Sequence, residues 1–185
     1  MRINAETFYN DFVKAVSENK DKNWQKYKND TKWTSVATGL ICRIIRRHGL
    51  EITKEYLRVD IIGWKQRVDE IKDDADKVGM KPWLWDLEVA VEHENKENDW
   101  TYELVKLTDI RCPLKVVIGY TCGNNRDNLE SKRIAYAAEL LQKRNVDENE
   151  DYLVILGEAK PFRKEEFDYR GYLYDSKKKA FVNLK

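Results

Sequence analysis

Apolar residues in the first fifty positions repeat with the period of an α-helix. The face of a first helix consists of Phe8, Phe12, Val13 and Val16. Asn4 precedes this helix as a candidate N-cap, and a polar, lysine-rich stretch follows over 18–32. Thr34 or Ser35 is predicted to cap a second helix, which ends at Gly49. The buried face of that helix comprises Val36, Leu40, Ile41, Ile44 and Ile45.

The pattern then changes to the alternation that is typical of β-strands. Tyr56–Ile62 predicts one strand, a charged segment over 66–78 predicts a short exposed helix, and Trp83–Glu94 is the longest alternating run. Because side chains of a strand point alternately to its two faces, this run is predicted to present four carboxylates on one face. These carboxylates belong to Asp86, Glu88, Glu92 and Glu94.

Two short segments of the second half are apolar on both faces, as strands covered on both sides of a sheet are. They span Leu114–Tyr120 and Tyr152–Leu156, and a helix over 128–144 separates them, which favours a right-handed βαβ unit. Another helix, capped by Asn98 or Asp99, is predicted to follow the acidic strand. We therefore expect an α/β fold with a mixed central sheet flanked by helices, and we expect the acidic strand inside that sheet.

Length and composition fit one domain without a membrane span. The chain has 185 residues and a formal net charge of +1, with 42% hydrophobic and 36% charged residues. The predicted organisation is a helical extension over 1–33, a core over 34–157 and a closing hairpin over 158–185. No apolar run approaches the roughly 20 residues of a membrane helix, and the start lacks the features of a secretory signal. We expect a cytoplasmic protein that does not bind membranes.

The carboxylates of the long alternating run need either solvent or a cation, because like charges two residues apart repel each other. In the first interpretation, the carboxylates lie on the solvent-exposed face of an edge strand. The second is a site for Mg²⁺ or Mn²⁺, hard ions that prefer carboxylate oxygens. Asp60, on a strand that would naturally neighbour the acidic one, favours the cation. Three cysteines and two histidines without paired spacing argue against a zinc site.

An Asp on one strand, a Glu-x-Glu on the next, and then a helix and a strand resemble the PD-(D/E)XK nuclease superfamily. The resemblance covers about residues 34–157 and implies its restriction endonuclease-like α-β-β-β-α-β core. It implies that Asp60 in YLRVDIIG and Glu92 in VAVEHEN are metal ligands, together with the backbone carbonyl of His93. Glu94 occupies the position where most members carry lysine, although some restriction enzymes also have glutamate there.

The resemblance implies Mg²⁺- or Mn²⁺-dependent hydrolysis of phosphodiester bonds, with DNA as the expected substrate. Glu94 would orient or deprotonate the attacking water, and Lys106 is a candidate for the missing positive charge. For Lys106 and its neighbour Glu103, an ordinary surface contact is the favoured interpretation. Glu88 is predicted to be an outer-shell or solvated group, and the His93 ring is predicted to pack on the opposite face.

Binding of nucleic acid would need local positive charge. Lys26 lies in a lysine-rich segment that is interleaved with aromatic residues, and Arg126 lies in a turn that could bind phosphate. A further basic patch consists of Arg43, Arg46 and Arg47. The resemblance also implies a homodimer, since many nucleases pair to cut both strands. The alternative function is an inactive nuclease-like domain that binds nucleic acid or protein.

Overall fold

The computed structural model contains one mixed sheet of seven strands, with helices on both of its faces. The strands are β1 (Glu51–Tyr56), β2 (Val59–Gln66), β3 (Trp85–His93), β4 (Leu114–Thr121), β5 (Asp151–Glu158), β6 (Tyr169–Asp175) and β7 (Ala180–Leu184). The helices are α1 (Ala5–Ser17), α2 (Lys20–Tyr27), α3 (Asp30–Arg47), α4 (Lys72–Lys77), α5 (Trp100–Leu107) and α6 (Arg126–Arg144), with a 3₁₀ turn at Val68–Glu70. The residues described are 3–18, 20–27, 29–121, 126–159 and 168–184, with only the backbone at 126–128.

The strands follow one another across the sheet in chain order. β1, β2 and β3 are antiparallel neighbours, β3, β4 and β5 are parallel, and β5, β6 and β7 are antiparallel again. Parallel neighbours need a crossover connection, which α5 supplies between β3 and β4 and α6 supplies between β4 and β5. The expected mixed α/β sheet, the interior position of the acidic strand and the β4-α6-β5 unit are therefore confirmed.

Two hydrophobic cores lie on opposite sides of the sheet. On the first side, called the α3 face, α1 and α3 pack against residues such as Ile61, Val91 and Val116. On the second side, called the α5 face, α5 and α6 pack against residues such as Ala90 and Val117. No helix among the residues that the structure describes has both the length and the apolar character needed to cross a membrane.

The helix predicted to start at Thr34 or Ser35 begins one turn earlier. Asn29 is its N-cap and accepts a hydrogen bond from the Lys32 N–H at 2.9 Å. The Thr34 hydroxyl instead donates to the Asp30 carbonyl within the helix. The additional turn buries Trp33, which is 2% exposed, and this burial explains the earlier start. The cap predicted for the first helix, Asn4, is confirmed and forms a capping box with Thr7.

The strand predicted over Tyr56–Ile62 is two strands joined by a tight turn. Leu57 and Arg58 form the turn with φ of 50° and 66°, and β2 starts at Val59. Such turns usually carry Gly or Asn, because positive φ is strained for other residues. Leu57 is 66% exposed at this turn, so this apolar residue fitted the alternating pattern of a continuous strand without being buried in one.

An irregularity in the pairing of β2 with β3 divides the predicted row of carboxylates. Gly63 pairs with Val89, but the next residue, Trp64, pairs with Leu87, so Glu88 is the extra residue of a β-bulge. Leu87 consequently packs with the α5 face, although Val89 packs with the α3 face. Asp86 and Glu92 therefore point to opposite faces of the sheet, and the prediction of four carboxylates on one face is wrong.

Candidate active site

Asp60 and Glu92 meet on the α5 face at the carboxyl end of β3. The pairing of Ile61 with Val91 brings Asp60 on β2 beside Glu92 on β3. Both side chains are on the same side of the sheet as Ile62 and Ala90, because alternate residues of a strand share a face. Asp60 Oδ2 also accepts a hydrogen bond from the His93 backbone N–H at 2.9 Å. This carboxylate therefore bridges the ends of the two strands.

Helix α5 adds a third carboxylate and a lysine to the same place. Its residues Trp100, Leu104 and Leu107 are fully buried against the sheet, and the helical period puts Glu103 and Lys106 together at the edge of that buried stripe. We call Asp60, Glu92, Glu103 and Lys106 the acidic cluster. The carboxyl ends of parallel strands are a common place for ligand sites in α/β proteins.

Lys106 joins the parts of the acidic cluster. Its Nζ lies 2.8 Å from Glu92 Oε1, forms an ion pair with Glu103 and donates to the Arg58 carbonyl at 2.9 Å. The Lys106 side chain is 23% exposed, and those of Glu92 and Glu103 are 2% and 13% exposed. The pair of Glu103 and Lys106 is therefore formed, but its burial and its contact with Glu92 distinguish it from an ordinary surface contact.

The electrostatics of the acidic cluster favour a further positive charge. Burial raises the pKa of Glu92 to about 8; Lys106 opposes this shift, and the nearby Asp60 and Glu103 carboxylates add to it. Burial disfavours the charged form of Lys106, but its contacts with Glu103 and Glu92 outweigh burial and raise its pKa. Lys106 thus contacts two carboxylates, Glu92 and Glu103, and Asp60 adds a third acidic group beside Glu92. A divalent cation would balance this excess of acidic groups.

The donor set of the acidic cluster fits a hard divalent cation. Glu92 Oε1 and Glu103 Oε2 are buried and accept no hydrogen bond of good geometry, although both lie near Lys106 Nζ. Mg²⁺ usually takes only one or two protein carboxylates and completes its shell with water and phosphate oxygen. Across the described ranges, no three His, Cys, Asp or Glu side chains are grouped so that they could hold a metal ion. Asp60 and Glu92, which the pairing of β2 with β3 brings side by side, are the two carboxylates that would hold such an ion.

Glu94 and Glu88 have other surroundings. Glu94 lies just past the end of β3, where its carboxylate accepts the Lys96 backbone N–H at 2.7 Å and shapes the following loop. Glu88 occupies the bulge and lines a surface cavity together with Arg111 and Pro113. That position is four residues before Glu92, or about 13 Å along the strand. Glu88 therefore lies in the bulge, away from the end of β3 where the acidic cluster is, and Glu94 belongs to the loop that follows the strand.

The His93 side chain is part of the α3-face core. Its Nε2 is 2.6 Å from the Tyr120 hydroxyl, and burial lowers the pKa of the imidazole to about 4. The ring is therefore neutral at physiological pH. Only the backbone of His93 takes part in the acidic cluster, through the N–H that binds Asp60.

The basic residues predicted to bind nucleic acid are away from the acidic cluster. Lys26 is on α2, and three arginines are on the last two turns of α3, which packs on the opposite face and leads into the start of β1. Those on α3 are Arg43, Arg46 and Arg47. The aromatic residues near Lys26 that were expected to stack on bases include Tyr27 and Trp33, which are buried in the core. The side chain of Arg126 lies outside the described residues.

An exposed group of aromatic side chains was not anticipated from the sequence. Most tryptophans were expected in the core, but Trp83 is 76% exposed and Trp85 is 37% exposed. Trp83 precedes β3 and Trp85 is its first residue, in the segment where the alternating pattern is strongest. No helix was predicted to cover this end of the sheet, and that gap in the prediction could have indicated that the two side chains stay exposed.

None of the family models compared with the chain matches it, and no curated protein sequence matches it either.

Proposed function

We propose that the protein is a metal-dependent nuclease that hydrolyses phosphodiester bonds, with DNA as the expected substrate. The observation that carries this proposal is the meeting of Asp60 and Glu92, from neighbouring strands, on one face beside Lys106. Three buried or half-buried carboxylates around one ammonium group form a site that attracts a divalent cation more than an anion. A phosphodiester would then bind through that cation.

Asp60 and Glu92 would hold Mg²⁺ or Mn²⁺. The N–H of His93 donates to Asp60, and the N–H and C=O of one strand residue point to the same side, so we expect the His93 carbonyl to face the ion as well. When bound, the ion would polarise a phosphate oxygen and lower the pKa of a bound water. Lys106, held by Glu103 and the Arg58 carbonyl, would stabilise negative charge that develops on the phosphate.

The order of the elements also supports the proposal. Apart from the 3₁₀ turn and the short helix α4 between β2 and β3, the chain follows the α-β-β-β-α-β order of the restriction endonuclease-like core. The elements concerned are helix α3, strands β1, β2 and β3, helix α5 and strand β4. Glu94 occupies the usual lysine position in the sequence, and Lys106 could provide the positive charge from α5 instead. We therefore propose a PD-(D/E)XK-like core in which the lysine comes from the following helix. The formation of a homodimer stays a prediction, which sedimentation would test.

A cleavage assay tests this function. Purified protein is incubated with supercoiled plasmid and with single-stranded circular DNA, in Mg²⁺, in Mn²⁺ and in EDTA. We expect cleavage of at least one DNA only with metal, and a loss of at least about 100-fold in Asp60→Asn, Glu92→Gln and Lys106→Met. The matched controls are Asp73→Asn and Glu139→Gln, two exposed carboxylates on α4 and α6, which should keep wild-type rates. Metal-independent cleavage, or equal rates in all variants, would overturn the proposal.

One observation favours a second candidate, an inactive domain that binds nucleic acid or protein. Lys106 forms an ion pair with Glu92, one of the two carboxylates that would hold the metal, and no group of three metal-ligating side chains occurs among the residues described. In this case the ammonium group would take the place of the cation. Calorimetry separates the candidates, because the nuclease requires Mn²⁺ binding that Asp60→Asn abolishes, whereas the binding domain shows no Mn²⁺ binding at millimolar concentration.

A further inference from the structure

Four aromatic side chains form a surface on the α5 face beside the acidic cluster. We call Tyr56, Trp64, Trp83 and Trp85 the aromatic surface. Helix α5 packs on β3 and β4 and helix α6 packs on β7, whereas these rings occupy the end of the face formed by β1, β2 and the start of β3. They line a cavity of about 220 Å³, together with Ile62 and Leu84 among others.

Contacts link three rings of the aromatic surface. Trp85 contacts Tyr56 edge-to-face with ring centroids 5.7 Å apart, and it contacts Trp64 in the same manner at 5.8 Å. The indole N–H of Trp64 donates to the Thr53 hydroxyl at 3.1 Å. These three rings can bind a planar apolar partner with little loss of conformational entropy. Trp83 lines the same cavity and adds a ring that is 76% exposed.

The aromatic surface and the acidic cluster share strands β2 and β3 and lie on the same face of the sheet. Strand β2 carries both Asp60 and Trp64, four residues apart, and β3 carries both Glu92 and Trp85. Four strand residues span about 13 Å and the seven from Trp85 to Glu92 span about 23 Å, which correspond to about four to seven stacked nucleotides at 3.4 Å each. A chain whose phosphate lies at the acidic cluster could therefore place its neighbouring bases on these rings. Tyr102, exposed on α5 and one turn before Lys106, offers a further ring near the cluster.

We propose that the aromatic surface binds unpaired bases of a single-stranded nucleic acid, so that the substrate of the acidic cluster is single-stranded. This inference rests on the proposed function. Base faces are hidden inside a duplex, and only unpaired bases can stack on protein rings, as they do in proteins that bind single strands. The continuity of the rings with the site proposed to bind phosphodiesters favours nucleic acid over an apolar peptide.

Binding measured without metal tests the aromatic surface separately from hydrolysis. In EDTA, the fluorescence anisotropy of a labelled oligothymidylate of twelve nucleotides, which is longer than the predicted span of about four to seven nucleotides, is titrated with protein. We expect Trp83→Ala to weaken binding roughly 5- to 150-fold and Trp83→Phe, which keeps a ring, to weaken it much less. Tyr136→Ala, an equally removable exposed ring on α6, should bind like the wild type. A blunt duplex of the same length should bind more weakly than the single strand.

The outcomes separate this inference from the proposed function. Equal affinity in Trp83→Ala and wild type, or a preference for the duplex, would overturn the single-strand inference even if DNA is cleaved. Self-association of the wild type that Trp83→Ala abolishes, without any change in oligonucleotide affinity, would make the surface a protein interface and would also overturn it. Loss of binding in Trp83→Ala, combined with no cleavage under any condition, would support the aromatic surface and remove the nuclease.

Discussion

Glu92 holds its carboxylate in surroundings that disfavour a negative charge. The side chain is 2% exposed, and burial raises its pKa to about 8 although Lys106 opposes the shift. Taking charges out of water costs more than one ion pair usually returns, so a buried group of this kind points to a role other than stability. Lys106 reduces this cost, and a bound divalent cation would reduce it further.

The raised pKa of Glu92 predicts a pH-dependent cost to stability. In the folded protein the carboxyl keeps its proton up to about pH 8, whereas in the unfolded chain it loses the proton near its ordinary value of 4.5. The folded state therefore binds more protons in this window, and Glu92 destabilises the fold increasingly as the pH rises through it. In EDTA, we expect Glu92→Gln to gain about 1–3 kcal/mol of unfolding free energy relative to wild type between pH 5 and pH 8.

Urea unfolding at the two pH values measures this difference. Glu139→Gln, an exposed carboxylate on α6, serves as the control and should shift equally at both values. A difference between Glu92→Gln and wild type that stays constant from pH 5 to pH 8 would show that Glu92 does not titrate in this window.

At the scale of elements, the pattern of the sequence predicted the parts of the fold that side-chain burial alone determines. Strands β4 and β5 are apolar on both faces, and the βαβ unit that they form with α6 was foreseen. Two backbone features were not foreseeable in this way. The turn at Leu57 and Arg58 lacks the usual Gly or Asn. The bulge at Glu88 does not interrupt the alternating pattern of the sequence, but it changes the face of the sheet to which the preceding residues of β3 point.

The close packing of α5 on β4 gives a test at this scale. Gly119 lies against Trp100, and an added Cβ would lie 2.7 Å from the Trp100 Cβ. We expect Gly119→Ala to cost about 1–3 kcal/mol of unfolding free energy and to weaken the docking of the helix that carries Glu103 and Lys106. Thermal or urea unfolding measures the loss.

Gly39 provides the matched control for Gly119. It lies within α3, and the nearest atom to an added Cβ is the Arg43 guanidinium at 3.8 Å, an ordinary contact with a flexible side chain. Because Ala favours helix over Gly, Gly39→Ala should stabilise the protein by up to about 1 kcal/mol. Equal effects of the two substitutions would contradict the tight contact between α5 and β4.

At the scale of the whole molecule, function is proposed for one face of the sheet. The acidic cluster and the aromatic surface share the α5 face, whereas Arg43, Arg46 and Arg47 belong to the helix on the α3 face. The sequence identified Asp60, Glu92 and Lys106 as candidates because strand order and chemistry are readable along the chain. It could not assign faces to the basic residues or to the exposed tryptophans, since packing of distant segments decides which rings and charges stay outside.

Metal binding should couple to global stability, because the unfolded chain does not bring Asp60 and Glu92 together. A ligand present at 10 to 100 times its Kd adds about 1.4–2.7 kcal/mol to the unfolding free energy. We expect millimolar Mn²⁺ to raise the Tm of the wild type by a few degrees and to leave the Tm of Asp60→Asn unchanged. The control Asp73→Asn should show the same rise in Tm as the wild type. If Mn²⁺ raised the Tm of Asp60→Asn by the same amount, the ion would bind at a site that does not use Asp60.

The most direct test of the nuclease proposal is a crystal of the wild-type protein soaked in Mn²⁺, with anomalous density measured at the acidic cluster. We expect an anomalous peak bound by carboxylate oxygens of Asp60 and Glu92 at about 2.0–2.3 Å, with Lys106 Nζ displaced from Glu92. The nuclease proposal would be contradicted if no anomalous peak appeared at saturating Mn²⁺ and Lys106 kept its contact with Glu92.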